Sequence, residues 1–349
     1  MGNGFINSAV AGGQPEAPLN SAAAGGQPKA QLKKAKRMEK STNTKNKSAK
    51  RTPRTSAATR KKSAPSKKAN MQTESKNTIA LIYDFDGTLS PKNMQEYAFL
   101  PKIGMQAKKF WTEVAKLSHE REAEPLITYM HLMYQKAKEK GVHILRDDLV
   151  SQGKDVEFCP GVEKWFDLIE AYVKKQSGGA VNVRHYLISS GLKEIIEGTK
   201  IYNRFHNVFA SEYYFDAYEL PYPKRVITDT SKTQYLFRIN KGVEDVNQSI
   251  NSHMPDDDRP IPFSQMIYFG DGETDVPSMA VTRQNKGFAM AVYPKGKPAK
   301  ICKELFSVGR VDFYAEADYT RGSNLHKRTC LLIDKILSDI KVREEKEKL

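Results

Sequence analysis

The chain has 349 residues, of which 56 are lysine or arginine and 41 are aspartate or glutamate, for a formal net charge of +15. No apolar run reaches the length of a transmembrane helix, and the first thirty residues lack the pattern of a secretory signal. Three widely spaced cysteines and seven histidines form no disulfide framework and no zinc-ligand spacing. Composition thus speaks against a membrane-spanning or disulfide-rich secreted protein, and reduced cysteines favour a cytoplasmic location.

The positive charge is concentrated at the start of the chain. Residues 1–78 contain 17 lysines and arginines against 3 acidic residues, and they repeat the sequence Ala-Gly-Gly-Gln-Pro. With so few apolar residues the segment cannot offset the entropy lost on ordering, so we expect a disordered basic tail, followed by a folded domain over residues 79–349. A flexible polycation can bind polyanions, although a solvated extension without a single partner is an equal alternative.

The folded part opens with an apolar run that predicts a β-strand over residues 80–83 and leads into Asp84, Asp86 and Gly87. Carboxylates one residue apart can share a crevice where a strand ends, and a cation such as Mg²⁺ between them would keep both ionised. In such a site Asp84 could attack phosphorus while Asp86 transfers the proton. By itself the pattern is also typical of turns.

An insertion over about residues 91–158 is too long for a simple connection. Apolar residues recur every three or four positions over 105–118 and 123–140, which predicts two amphipathic helices. Their aromatic and methionine residues are more typical of helix packing than of a substrate cage; they are Phe110, Trp111, Tyr129, Met130, Met133 and Tyr134. We expect the insertion to be an all-helical lid over the crevice.

Two later segments supply groups that suit a phosphate. A predicted strand over residues 183–188 ends in Ser189, Ser190 and Gly191, which offer a hydroxyl and free N–H groups, although Ser190 could equally cap a helix. Lys232 falls in the first turn of a predicted helix, where a positive charge is a local misfit that indicates an anion nearby.

The remainder alternates strands and helices. Strands are predicted at 206–211, in a hairpin-like pair near 213–227, and at 265–270, 287–292 and 310–315. The alternation predicts an α/β fold with a parallel sheet covered by helices on both faces. Asp271 and Asp275 bracket a glycine turn after the strand at 265–270, and such a pair can complete a metal shell.

In order and residue type, these four segments resemble the haloacid dehalogenase (HAD) superfamily, in its phosphoserine-phosphatase-like branch. The resemblance implies a Rossmann-like core with an inserted helical cap, the C1 cap of that family. It makes Asp84 the nucleophile and Asp86 the general acid/base, and it assigns phosphate binding to the second segment and to Lys232. It also implies a Mg²⁺ site built from Asp84, the main-chain carbonyl of Asp86, Asp271 and Asp275. The aspartate at position 86 is typical of the phosphatases and mutases of the family, not of its dehalogenases.

We therefore expect a Mg²⁺-dependent phosphomonoester hydrolase. Phosphoserine phosphatases carry a carboxylate where this chain has Asn93, with Glu96 three residues later, so we expect a small organic phosphate rather than phosphoserine itself. One alternative is a phosphatase for a nucleic-acid end or a phosphoprotein, recruited by the basic tail. Others are a phosphomutase and a non-catalytic binding protein. The sequence leaves the oligomeric state open.

Overall fold

The computed structural model describes residues 77–215 and 222–349. The predicted disordered tail lies outside these residues, apart from Asn77 and Thr78. The strands are β1 (Thr78–Tyr83), β2 (Asn182–Leu192), β3 (Asn207–Tyr214), β4 (Tyr222–Arg225), β5 (Met266–Gly270), β6 (Phe288–Tyr293) and β7 (Phe313–Glu316). The α-helices are α1 (Phe99–Lys102), α2 (Ala107–Glu120), α3 (Pro125–Glu139), α4 (Arg146–Gln152), α5 (Val162–Ser177), α6 (Lys193–Glu197), α7 (Lys232–Lys241), α8 (Val276–Gln284), α9 (Lys300–Ser307) and α10 (Asn324–Lys346).

The seven strands form one sheet in the order β4-β3-β2-β1-β5-β6-β7. All neighbouring pairs are parallel except β3 with β4, which is antiparallel at the edge. This arrangement confirms the predicted α/β fold with a parallel sheet. The hairpin-like pair predicted near residues 213–227 is wrong in detail, because β3 itself continues to Tyr214 and supplies the first strand of that hairpin.

Strand β1 shows why the sheet has helices on both faces. Its residues alternate between two buried apolar clusters: Ile79, Leu81 and Tyr83 face one cluster, and Ala80 and Ile82 face the other. The first cluster includes residues of α5, α10 and the helices between β1 and α5, and the second includes residues of α7, α8 and α9. This strand is buried at every position, so both of its faces are covered, as parallel sheets require.

The segment between β1 and α5 is helical, with a 3₁₀ turn at Met94–Glu96 followed by α1 to α4 and a second 3₁₀ turn at Gly153–Asp155. The two predicted amphipathic helices correspond to α2 and α3. Of the aromatic and methionine residues named above, Phe110, Tyr129, Met130 and Met133 are buried, and Trp111 and Tyr134 pack partly buried against the same cluster. No helix within residues 77–215 or 222–349 is long and apolar enough to cross a membrane.

Candidate active site

The sheet register brings three of the predicted segments to one edge. Tyr83, the last residue of β1, pairs with Leu187 of β2 on one side and with Phe269 of β5 on the other, so these three residues lie at the same level of the sheet. Asp84 continues this pattern by donating its N–H to the carbonyl of Phe269, with an N–O distance of 2.9 Å. Ser189 lies two positions after Leu187, and Asp271 lies two positions after Phe269. Ligands bind at this carboxyl edge in parallel α/β sheets.

Three aspartates come together there. Carboxylate oxygens of Asp84, Asp271 and Asp275 lie within 4.8 Å of one another, and Asp84 and Asp275 are buried, at 6% and 0% exposure. Burial raises the pKa of Asp84 to about 7, against the lowering effect of Lys232. Burial and the carboxylates of Asp275 and Asp84 raise the pKa of Asp271 well above its ordinary value. The structure thus collects negative charge where water cannot screen it.

Lys232, the first residue of α7, is the counter-charge. Its Nζ lies 2.7 Å from Asp275 Oδ1 and 3.2 Å from Asp84 Oδ1, and its side chain is 1% exposed. Burial alone lowers the pKa of an ammonium group, but here Asp275 and Asp84 raise the pKa of Lys232 well above its ordinary value. The anions near Lys232 in the described residues are these two carboxylates.

Asp275 is held more completely than its neighbours. Its Oδ1 accepts from Lys232 and from the Tyr268 hydroxyl at 2.7 Å, and its Oδ2 accepts from the N–H of Asp271 at 3.1 Å. These bonds fix both the lysine and the loop that carries Asp271. Tyr268 was not singled out in the sequence, because an aromatic residue inside an apolar strand is typical of the core.

The side chain of Asp86 is oriented differently from the three clustered aspartates, and the part expected of this residue in the metal site is that of its main-chain carbonyl. Its Oδ1 accepts from the N–H of Met94 at 2.9 Å, and the side chain is not part of the carboxylate cluster. Burial and the nearby charge of Asp84 raise the pKa of Asp86 well above its ordinary value. A carboxyl group with a raised pKa keeps its proton to a higher pH, which suits a general acid.

The turn after Asp84 depends on Gly87, whose φ is +79°. A β-carbon at this position would lie 2.1 Å from Asp271 Oδ2, so the turn packs directly against the second carboxylate loop. Only glycine combines this backbone conformation with so close an approach.

The segment of Ser189, Ser190 and Gly191 lies beside the loop that carries Asp86. Ser189 is 1% exposed, and its Oγ accepts from the N–H of Gly191 at 3.0 Å. A β-carbon on Gly191 would lie 3.1 Å from Asp86 Oδ2, which places this glycine next to the predicted general acid. Leu192 occupies the cap position of α6, so the alternative role of Ser190 as a helix cap is wrong.

No protein-family model matches the chain. An uncharacterised protein of Borreliella burgdorferi (strain ATCC 35210) is 29% identical over 290 residues, and the alignment covers 74% of this chain and 99% of that protein. The relative therefore matches along nearly its whole length.

Several solved structures are similar to this one. They include a HAD family hydrolase from Salmonella enterica serovar Typhi, with 16% identity, a TM-score of 0.44 and 67% of each chain covered. A probable phosphoserine phosphatase from Vibrio cholerae is 16% identical, with a TM-score of 0.44 and coverage of 76% of this chain and 66% of that one. A phosphoserine phosphatase in apo form is 14% identical, with a TM-score of 0.44 and coverage of 70% and 94%.

Proposed function

We propose that the protein is a Mg²⁺-dependent phosphomonoester hydrolase that forms an aspartyl-phosphate on Asp84 and acts on a small organic phosphate. The observation that carries this proposal is the charge of the buried cluster. When all three carboxylates are ionised, the ammonium of Lys232 balances one of their charges and leaves two. An excess of two negative charges suits a divalent cation, and oxygen ligands suit Mg²⁺.

The donor set of Asp84 and Asp271 fits such an ion, with the main-chain carbonyl of Asp86 as the third ligand that the family resemblance implies. Asp275 would support the site mainly by holding Lys232 and the Asp271 loop, since both of its oxygens already accept hydrogen bonds. When bound, Mg²⁺ would neutralise charge on the phosphoryl oxygens and orient the group for in-line attack.

The protein's own residues would carry out the two chemical steps. A carboxylate oxygen of Asp84 attacks phosphorus, the bond between phosphorus and the ester oxygen breaks, and Asp86 gives its proton to the leaving oxygen. Asp86, now ionised, then takes a proton from water as the water oxygen attacks phosphorus and releases Asp84 and inorganic phosphate. Ser189, Ser190, Gly191 and Lys232 would bind the phosphoryl oxygens during both steps.

The helical segment between β1 and α5 would serve as the lid that excludes water and selects the substrate.

The three cysteines are unpaired, which suits a reducing compartment such as the cytoplasm.

The test is phosphate release by the full-length protein from a panel of small phosphomonoesters, phosphopeptides and phosphate-ended oligonucleotides. We expect turnover with Mg²⁺ that is abolished by chelation and by Asp84→Asn, and unchanged in Asp257→Asn, which alters an exposed carboxylate in a 3₁₀ turn. Absence of turnover from a folded, Mg²⁺-supplied protein would overturn the proposal in favour of a non-catalytic binding protein. Transfer to a second hydroxyl in place of water would identify a mutase.

A second candidate rests on the charge of the tail. Residues 1–78 carry 17 basic and 3 acidic residues, and a polycation raises the local concentration of a polyanionic substrate. If the substrate is a nucleic-acid end or an acidic phosphoprotein, kcat/KM for it should fall steeply as salt is added. The same salt series should change turnover of a small phosphate ester very little.

A further inference from the structure

The peptide bond between Ser190 and Gly191 has no partner in the sheet. In the pairing of β2 with β3, Ser189 pairs with Ala210 and Leu192 pairs with Ser211, and the register shifts between them. Ser190 and Gly191 therefore form a bulge, where the ladder does not fix the orientation of the peptide plane.

Two side chains hold this peptide instead. On one side, the carbonyl oxygen of Ser190 accepts from the hydroxyl of Tyr129 at 3.1 Å. On the other, the N–H of Gly191 donates to Ser189 Oγ at 3.0 Å. Because the carbonyl and the N–H belong to the same plane, a rotation that releases one bond also breaks the other. One peptide group therefore links the hydroxyl of Tyr129 to the hydroxyl of Ser189.

Tyr129 is itself held by other residues of the helical segment. Its side chain is 2% exposed, and its ring contacts the ring of Trp111 edge-on, with centroids 5.8 Å apart. Trp111 Nε1 donates to Glu96 Oε1 at 2.9 Å, and Asn93 Nδ2 donates to the same oxygen at 2.9 Å. The next residue after Asn93 is Met94, whose N–H binds Asp86. These contacts run from the predicted acid/base to the predicted phosphate-binding loop.

We propose that Tyr129 is a positioning residue, which sets the Ser190–Gly191 peptide, and through it Ser189, for phosphate binding. The inference rests on the proposed function, since it concerns the phosphate site of that reaction. Its physical basis is that the hydroxyl of Tyr129 donates to the carbonyl of the bulged peptide, and Trp111 and Glu96 fix where that hydroxyl lies. The next N–H, that of Leu192, donates to Met94 Sδ and does not orient this carbonyl.

A close control exists in the same interface. The hydroxyl of Tyr213, a residue 3% exposed, donates to the carbonyl of Met130 at 2.7 Å, so it also joins α3 to the sheet but does not touch the bulge. Tyr129→Phe and Tyr213→Phe each delete one buried hydroxyl from neighbouring contacts of α3. A purely structural role for Tyr129 predicts the same behaviour for both variants.

The first measurement is inhibition of the full-length enzyme by orthovanadate, a phosphate mimic. For Tyr129→Phe we expect the inhibition constant to rise about tenfold and kcat/KM to fall by a similar factor, the size of one lost hydrogen bond. For Tyr213→Phe we expect the inhibition constant and kcat/KM to stay within about twofold of the wild type. The melting temperature of this variant should fall by about as much as that of Tyr129→Phe. Equal effects of the two variants on inhibition would overturn the proposal.

A second measurement does not depend on activity. Hydrogen–deuterium exchange of a peptide spanning residues 190–192 should be faster in Tyr129→Phe and unchanged in Tyr213→Phe. Unchanged exchange in Tyr129→Phe would refute the positioning role even if the protein were not a phosphatase. If the wild type showed no phosphatase activity but exchange were locally faster in Tyr129→Phe, the proposed function would be refuted. The role of Tyr129 in holding the Ser190–Gly191 peptide would still be supported.

Discussion

Replacing Lys232 with methionine removes the ammonium group that contacts both Asp84 and Asp275. The replacement has a similar shape, so the main effect is electrostatic: two buried carboxylates, at 6% and 0% exposure, lose a positive charge at 3.2 and 2.7 Å. Removing one partner of a buried ion pair costs about 3–5 kcal/mol of unfolding free energy, because the remaining charge stays desolvated. We expect Lys232→Met to lose stability in this range.

The pH dependence of that loss follows from the pKa of Asp84. Lysine lowers this pKa, which is nevertheless raised to about 7 by burial, so without Lys232 it must rise further. Near pH 8 the folded variant must either ionise Asp84 without this partner or take up a proton on it, whereas near pH 6 Asp84 is mostly protonated and the cost is smaller. The destabilisation should therefore be larger at about pH 8 than at about pH 6.

Urea unfolding of the full-length protein, with a chelator present so that no cation substitutes for the lysine, measures both effects. Lys300→Met is the control, because Lys300 is exposed and its contact with Glu304 is 4.0 Å long. A surface pair of this kind contributes at most about 1 kcal/mol. If Lys232→Met also lost no more than about 1 kcal/mol at either pH, the reasoning about the buried cluster would be refuted.

Two further predictions concern single residues. Burial lowers the pKa of His185 from 6.5 to about 3, so the unfolded chain binds more protons between these values and stability should fall as the pH drops below about 6.5. His185→Phe should flatten this part of the stability curve, measured by urea unfolding at successive pH values, and an unchanged slope would contradict the assignment. Gly87→Ala should push Asp271 aside and raise the Mg²⁺ concentration needed for turnover, because the new β-carbon would lie 2.1 Å from Asp271 Oδ2. Gly104→Ala is its control, since Gly104 has a φ of +65° with nothing within 4 Å, and equal Mg²⁺ dependence in the two variants would count against the contact.

Much of the fold could be predicted because strong local patterns coincide with the final elements. The apolar run at 80–83 became β1, and the two periodic segments became α2 and α3. The edge hairpin could not be placed correctly, because no glycine or proline separates the predicted strand at 206–211 from Tyr213 and Tyr214, and β3 continues through both residues.

At the site, the residue types predicted which groups meet, but not how each is held. The cluster of Asp84, Asp271 and Asp275 follows from strand ends that share one edge of the sheet. The bonds from Tyr268 to Asp275 and from Met94 to Asp86 depend on side-chain direction and on a loop contact, which no spacing in the sequence encodes. The sequence predicts helix packing for Tyr129, and its ring is indeed buried in the core. The hydrogen bond from its hydroxyl to the carbonyl of Ser190 was not predicted.

The central claim, a covalent phosphoryl group on Asp84, can be tested by trapping. The full-length protein would be mixed with its best substrate and Mg²⁺, quenched in acid during turnover and reduced with borohydride, which converts an aspartyl-phosphate to homoserine. Mass spectrometry of the peptide containing residues 80–90 should then find the change at Asp84 and not at Asp86, and none in Asp84→Asn. Turnover with no modification at Asp84, or with phosphate found on Ser189 instead, would contradict the account.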